Sequence, residues 1–223
     1  MRPKDLIYPF ISQKRAPLLQ EGVLYLPKLY PYHLVNEPQK MLLPLFQAKE
    51  IINIEYGSGN GEWIIEKAAL FPNQLWIAVE KRFDRVQKIW SKRENNQLSN
   101  LFIVCAEAET FSPYYLPEGL IHKVFVNFPD PWPKKRHAQK RLFQAAFLQE
   151  LKRVTAPSAV ITIVTDYAPY AEQIVASCQK ADLVSSFPAP YFIQHWEDYG
   201  DSYFKQLWEM QEKSLHFMQF IKP

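Results

Sequence analysis

From about residue 50 the chain alternates two patterns of apolar and polar residues. Short, largely apolar runs rich in β-branched and aromatic side chains occur at 51–55, 75–80, 101–105, 123–127 and 160–165. Runs of this length suit strands covered on both faces. Between them lie stretches with helical spacing, at 62–70, 82–93, 139–154 and 168–180. In the third, Phe143, Phe147, Leu151 and Val154 fall on one face, with Gln144, Glu150, Lys152 and Arg153 off it. This alternation predicts an α/β fold, a doubly wound, mostly parallel sheet with helices on both sides. The aromatic-rich stretch 183–212 is expected to close the sheet with antiparallel strands. Seven prolines in the first 45 residues rule out long regular elements there. Residues 1–35 are therefore expected to form an arm lying over the domain or its ligand, and 36–223 the domain itself.

Composition narrows the class. With 223 residues and 48% hydrophobic content the chain can bury a real core and is not disordered. Cys105 and Cys178 stand far apart in apolar surroundings and make no metal-ligand spacing, so buried thiols in a reducing compartment are expected, and no metal. The longest apolar run, 159–164, is too short to cross a bilayer, and the N-terminus lacks the apolar stretch of a secretory signal. A soluble, cytoplasmic protein with no membrane partner is the expectation. The net charge of +3 matters less than where the cations fall.

Three of only six glycines fall in one turn, Gly57-Ser58-Gly59-Asn60-Gly61, directly after the first strand-like run and before a helix. A glycine turn in that setting lets a ligand approach the backbone. Glu80, ending the next strand, is placed to accept hydrogen bonds from both hydroxyls of a ribose. The spacing is not that of a dinucleotide site, and Glu55 stands immediately before the turn. A carboxylate there repels a diphosphate and attracts a sulfonium and an α-amino group. That favours S-adenosylmethionine over NAD. Glu107, just past the third strand, either reaches an adenine amine or is a solvated loop acid.

A second constellation follows the fourth strand. Prolines on both sides of Asp130 restrict the backbone and aim the carboxylate, and Trp132 offers a face on which a base stacks. Lys134, Lys135, Arg136, Lys140 and Arg141 follow, with His137 among them. A charge run is usually a solvated face, but this one adjoins a rigid acid and an aromatic at the carboxyl edge of the sheet, which favours phosphate binding.

With the glycine turn, Glu80, Glu107, the string Phe128-Pro129-Asp130-Pro131-Trp132-Pro133-Lys134-Lys135-Arg136-His137 and Thr165-Asp166, the sequence resembles the bacterial-type tRNA (guanine-N7-)-methyltransferases over roughly residues 50–200. The resemblance implies a class I, Rossmann-like methyltransferase and methylation of a guanine N7 in the variable region of tRNA. It implies that Glu55, Gly57, Gly59, Gly61, Glu80, Glu107 and Asp130 contact S-adenosylmethionine, with Asp130 at the reaction centre. Lys134, Lys135, Arg136, Asp166 and the segment holding Gln194 and Glu197 are implied to contact tRNA. The family usually has a further basic residue where Gln139 stands and a threonine where Gln194 stands. Because N7 carries a lone pair and no proton, Asp130 would orient the guanine or offset its developing charge, and Asp166 is the other candidate for either task. Two rivals remain: a methyltransferase for a base amine of RNA or DNA, and an RNA-binding module without catalysis. The aromatics Trp196, Tyr199, Tyr203, Phe204 and Trp208 are read first as core. Oligomeric state is left between monomer and homodimer.

Overall fold

A computed structural model describes residues 1–10, 16–28, 38–47, 49–200 and 203–223. The parts of the expected arm at 11–15 and 29–35 lie outside the described residues, as do residues 36–37 and the side chain of Lys135. The chain divides into two compact units, 1–117 and 118–223.

In the first unit, β1 (Leu18–Gln20) and β2 (Val23–Tyr25) precede α1 (Pro38–Gln47), β3 (Ile52–Tyr56), α2 (Glu62–Leu70), β4 (Leu75–Glu80), α3 (Phe83–Asn95), β5 (Leu101–Cys105) and α4 (Ala108–Tyr115). The strands run in the order β1-β2-β5-β4-β3; β1 pairs antiparallel with β2, and the others are parallel. Every residue of β3, β4 and β5 is buried, so both faces are covered, which is why their sequences are continuous apolar runs and not alternating ones.

The arm expected over 1–35 is corrected here. Val23, Leu24 and Tyr25 are wholly buried and pair in register with Ile103, Val104 and Cys105. The first unit thus uses part of that segment as a strand of its own sheet. The turn between β1 and β2 is fixed by Arg93 on α3, which donates to the carbonyls of Glu21 (2.8 Å) and Gly22 (2.7 Å). Helices α1 and α4 are not among the elements expected from sequence; each contains a proline (Pro44, Pro113), which argues locally against a helix.

The second unit contains β6 (Ile121–Asn127), α5 (Ala145–Val154), β7 (Thr155–Thr165), α6 (Ala168–Lys180), β8 (Val184–Ser185), α7 (Tyr203–Met210) and β9 (His216–Ile221). Strands β6 and β7 are parallel; β7 pairs antiparallel with β9, and β9 with β8. The antiparallel closing strands are therefore present, but β9 lies beyond the stretch 183–212, whose described residues include the two-residue β8, a 3-10 turn at Glu197–Tyr199 and the helix α7. The helix expected over 139–154 begins at Ala145; Lys135–Lys140 is a 3-10 turn, and Phe143 reaches the core from outside the helix. Tyr170 explains this: its ring packs on Phe143, and its hydroxyl accepts from the Phe143 N–H at 3.3 Å.

Cys105 and Cys178 are buried free thiols, each pushed up to about 12 by desolvation. Among the described residues no helix is long and apolar enough to cross a membrane, and no His, Cys, Asp or Glu cluster could hold a metal ion.

Candidate functional site

In the first unit β3 ends at a turn in which Gly57, Gly59 and Gly61 all have left-handed φ, at 74°, 56° and 83°. The N–H groups of Gly57 and Ser58 turn back to the Val79 carbonyl (2.8 and 3.1 Å), and that of Gly61 goes to Ser58 O (2.9 Å). The Gly59 N–H is taken by Glu80 Oε2 at 3.0 Å, while Glu80 Oε1 accepts from Arg82 N at 2.8 Å. A phosphate cradle needs backbone N–H groups aimed at the anion. Four of those in this turn are committed internally, so the turn is not built for a diphosphate.

The three glycines do different work. A Cβ on Gly57 would meet nothing within 4 Å, and one on Gly59 only the Gly57 carbonyl at 4.0 Å. The backbone there borders open space that a ligand can fill. A Cβ on Gly61 would meet Ile89 Cγ1 at 2.8 Å. Gly61, expected among the donor-contacting residues, is also where the start of α2 packs closely on Ile89 of α3.

Two carboxylates border this turn from inside the unit. Glu55 is 2% exposed and Glu80 is 4% exposed. Burial raises the Glu80 pKa above the usual glutamate value, against the pull of the Arg82 N–H, of Arg85 (3.8 Å away) and of the Gly59 N–H. Buried acids of this kind are costly unless compensated, and a cationic or hydroxyl-bearing ligand would compensate them. S-adenosylmethionine offers both. Glu107 caps the start of α4 and pairs with Lys28 at 2.7 Å, an ion pair that raises the Lys28 pKa. A solvent-accessible pair of this kind is easily exchanged for another partner.

In the second unit β6 ends at Asn127, whose side chain accepts a short hydrogen bond from the buried Tyr199 hydroxyl. The loop that follows is strained at both ends: Phe128 and Trp132 have φ of 53° and 40°. Such residues cost about 1–3 kcal/mol each, so the surroundings must hold the loop. Phe128 N donates to Val164 O at 2.8 Å. At the other end Arg141 donates from Nε to Pro131 O (2.8 Å), from Nη2 to Trp132 O (3.4 Å) and from Nη1 to Gln173 Oε1. A charged hydrogen bond contributes about 1.5–3 kcal/mol, enough to offset one strained residue. Asp130, between these anchors, is exposed.

Arg141 was read among the phosphate-binding cations, and that reading is corrected: it is 9% exposed and its guanidinium is engaged within the fold. Lys134, Arg136 and Lys140 are exposed. The Trp132 ring carries Lys140 Nζ at 4.9 Å and the edge of His137 at 5.7 Å. An exposed cation–π contact contributes about 0.5–1 kcal/mol and a stacked base about 1–3 kcal/mol, so a base can displace the lysine. Asp166 follows β7 and is paired with Lys213 Nζ at 3.1 Å, and that ammonium lies 3.3 Å above the Trp208 ring. Gln194 and Glu197 are exposed.

Known proteins match this chain along most of its length. A family model described as "Putative methyltransferase" matches residues 49–197. A tRNA (guanine-N(7)-)-methyltransferase of Chlamydia pneumoniae is 43% identical over 222 residues, covering 100% of this chain and 98% of that protein. The one of Chlamydia trachomatis is 38% identical over 226 residues, with 100% and 98% covered. The chain belongs to the tRNA (guanine-N(7)-)-methyltransferase family.

Solved structures share this chain's fold at low identity. An antibiotic-related methyltransferase superposes with a TM-score of 0.62 at 19% identity, covering 82% of this chain and 92% of that one. A SAM-dependent methyltransferase from Aquifex aeolicus gives 0.56 at 15%, covering 86% and 92%. The fold is the Rossmann-like, mostly parallel sheet expected from the strand and helix pattern. Within this family member, Glu55, Gly57, Gly59, Glu80 and Glu107 gather in the first unit, and Asp130, Lys134, Arg136 and Asp166 in the second. Sequence reasoning missed Lys28 and Lys213, which meet Glu107 and Asp166 only through long-range folding.

Proposed function

We propose that this chain transfers the methyl group of S-adenosylmethionine to N7 of a guanine in the variable region of tRNA. The observation that carries the donor assignment is the glycine turn: four of its N–H groups are committed internally while buried Glu55 and Glu80 border it. That combination suits a cationic nucleoside and opposes a diphosphate. The full-length similarity to tRNA (guanine-N(7)-)-methyltransferases supports the acceptor and the position.

The donor supplies an electrophilic methyl group on a sulfonium. Glu80 has lone pairs left over from Gly59 and Arg82 with which to accept ribose hydroxyls. Glu55 attracts the donor's positive charge, and Glu107 exchanges Lys28 for the adenine amine. Guanine N7 needs no base to attack, so what remains for the protein is positioning and electrostatic stabilisation. Asp130 accepts from guanine N1–H and N2–H₂, which adenine cannot offer, and offsets the charge that develops on the methylated ring. Its exposure favours it over Asp166, which would first have to release Lys213. Lys134, Lys135 and Arg136 bind phosphates, and Trp132 stacks on a base. Gln194 and Glu197 are placed with the RNA on family resemblance alone. The enzyme works in the cytoplasm, where its tRNA substrate is.

The test is Asp130→Asn. Turnover is expected to fall at least a hundredfold while calorimetric titration still shows S-adenosylmethionine binding with wild-type affinity. Near-normal turnover would contradict the role given to Asp130, and loss of donor binding would move Asp130 into the donor site.

A further inference from the structure

We infer that Arg141 is a positioning residue: its buried guanidinium braces the 129–132 loop from inside the second unit and thereby sets the direction of the Asp130 carboxylate. The loop has an unusual need for such a brace. Pro129, Pro131 and Pro133 have no N–H, so the loop can donate few hydrogen bonds of its own. It must be held through its carbonyls, and the carbonyls of Pro131 and Trp132, the two residues after Asp130, both receive Arg141.

The brace is itself fixed. Arg141 Nη1 is tied to Gln173 on α6, and the guanidinium carbon lies 5.0 Å from the Tyr170 ring centre and 5.9 Å from that of Tyr167. The backbone N–H of Arg141 closes on Ala138 O at 3.1 Å, ending the 3-10 turn. One residue therefore links α6, the basic turn and the loop. Only a planar fork of donors reaches two successive carbonyls and an amide at once; a lysine ammonium on a flexible stem does not. Its neighbour Lys140 points to solvent over Trp132, so adjacent cations in one run have opposite tasks.

The brace stands on the geometry alone, while its consequence for turnover rests on the proposed guanine methylation. The test uses full-length Arg141→Lys and Arg141→Gln, with Gln173→Ala as a milder variant that leaves the guanidinium in place. Amide hydrogen exchange is followed in peptides covering 126–138 and, as an internal reference, 52–80. Both Arg141 variants are expected to exchange at least tenfold faster in the first segment and unchanged in the second, with Gln173→Ala intermediate. With tRNA and S-adenosylmethionine, kcat should fall about 10- to 100-fold with KM for the donor within twofold. Arg141→Gln should add little to Asp130→Asn. Unchanged exchange at 126–138 overturns the brace. So does a normal kcat with weaker tRNA binding and a salt slope shallower by about one, which would make Arg141 a phosphate ligand. If the wild-type protein transfers no methyl group to tRNA, the functional reading fails and the exchange measurement still decides the brace.

Discussion

Gly57 and Gly61 lie in one turn and share a left-handed φ, yet their surroundings are opposite. Alanine at either position meets the backbone penalty of about 1–2 kcal/mol. At Gly61 it also drives a methyl group into Ile89, so Gly61→Ala should lose clearly more stability in urea unfolding than Gly57→Ala. Gly57→Ala should instead lose most of its affinity for S-adenosylmethionine, because its methyl group enters the open space beside the turn. Equal stability loss with donor affinity intact in Gly57→Ala would contradict the assignment. Glu80 allows a second comparison. Burial raises its folded pKa above the ordinary 4.5. The protonated form is thus favoured in the fold, and the contribution of Glu80 to stability is full below 4.5 and lost as pH rises through the raised value. Glu80→Gln cannot ionise. Its melting temperature relative to wild type should climb as pH rises from about 4 to about 7, while donor affinity drops. A difference that stays flat with pH would show that Glu80 is not destabilised by burial. The three glycines and Glu80 were legible in the sequence because local spacing sets a turn at a strand end. The division of labour between Gly57 and Gly61 was not, since it depends on Ile89, many residues away.

Elements β3, β4, β5, α2 and α6 match their sequence patterns closely, because each is decided by burial on a regular repeat. The departures have a common cause in long-range contacts. Strand β2 is short and preceded by polar residues, and its pairing with β5 on one side and β1 on the other makes it a strand. Its turn depends on Arg93, whose guanidinium fills the space beside Gly22. Gly22→Ala combines a φ of 66° with displacement of that guanidinium, and a loss of about 1–3 kcal/mol in chemical unfolding is expected. A loss below about 0.5 kcal/mol would mean that β1 and β2 contribute little to the first unit. The aromatic segment before β9 shows the same limit. Tyr199 packs with Phe217 as core, as expected, whereas Trp196 on the same cluster is only half-buried and Phe204 and Trp208 ride on α7, where the aromatic-rich pattern predicts a strand. Aromatic residues favour strands only when a neighbouring strand is available to pack them.

On the scale of the whole molecule, charge is distributed by function more than by total. The net charge is only +3, yet the 134–140 stretch presents Lys134, Arg136 and Lys140 to solvent while Arg141 beside them is withdrawn into the fold. Glu55 and Glu80 belong to the first unit and the cationic stretch to the second. The most direct test of the central claim is to incubate the protein with unmodified tRNA and S-adenosylmethionine labelled in its methyl group, digest the product, and identify and map the labelled nucleoside. The account predicts 7-methylguanosine at a single position in the variable region. Label on an exocyclic amine, on another base or outside the variable region, or no label at all, would contradict it.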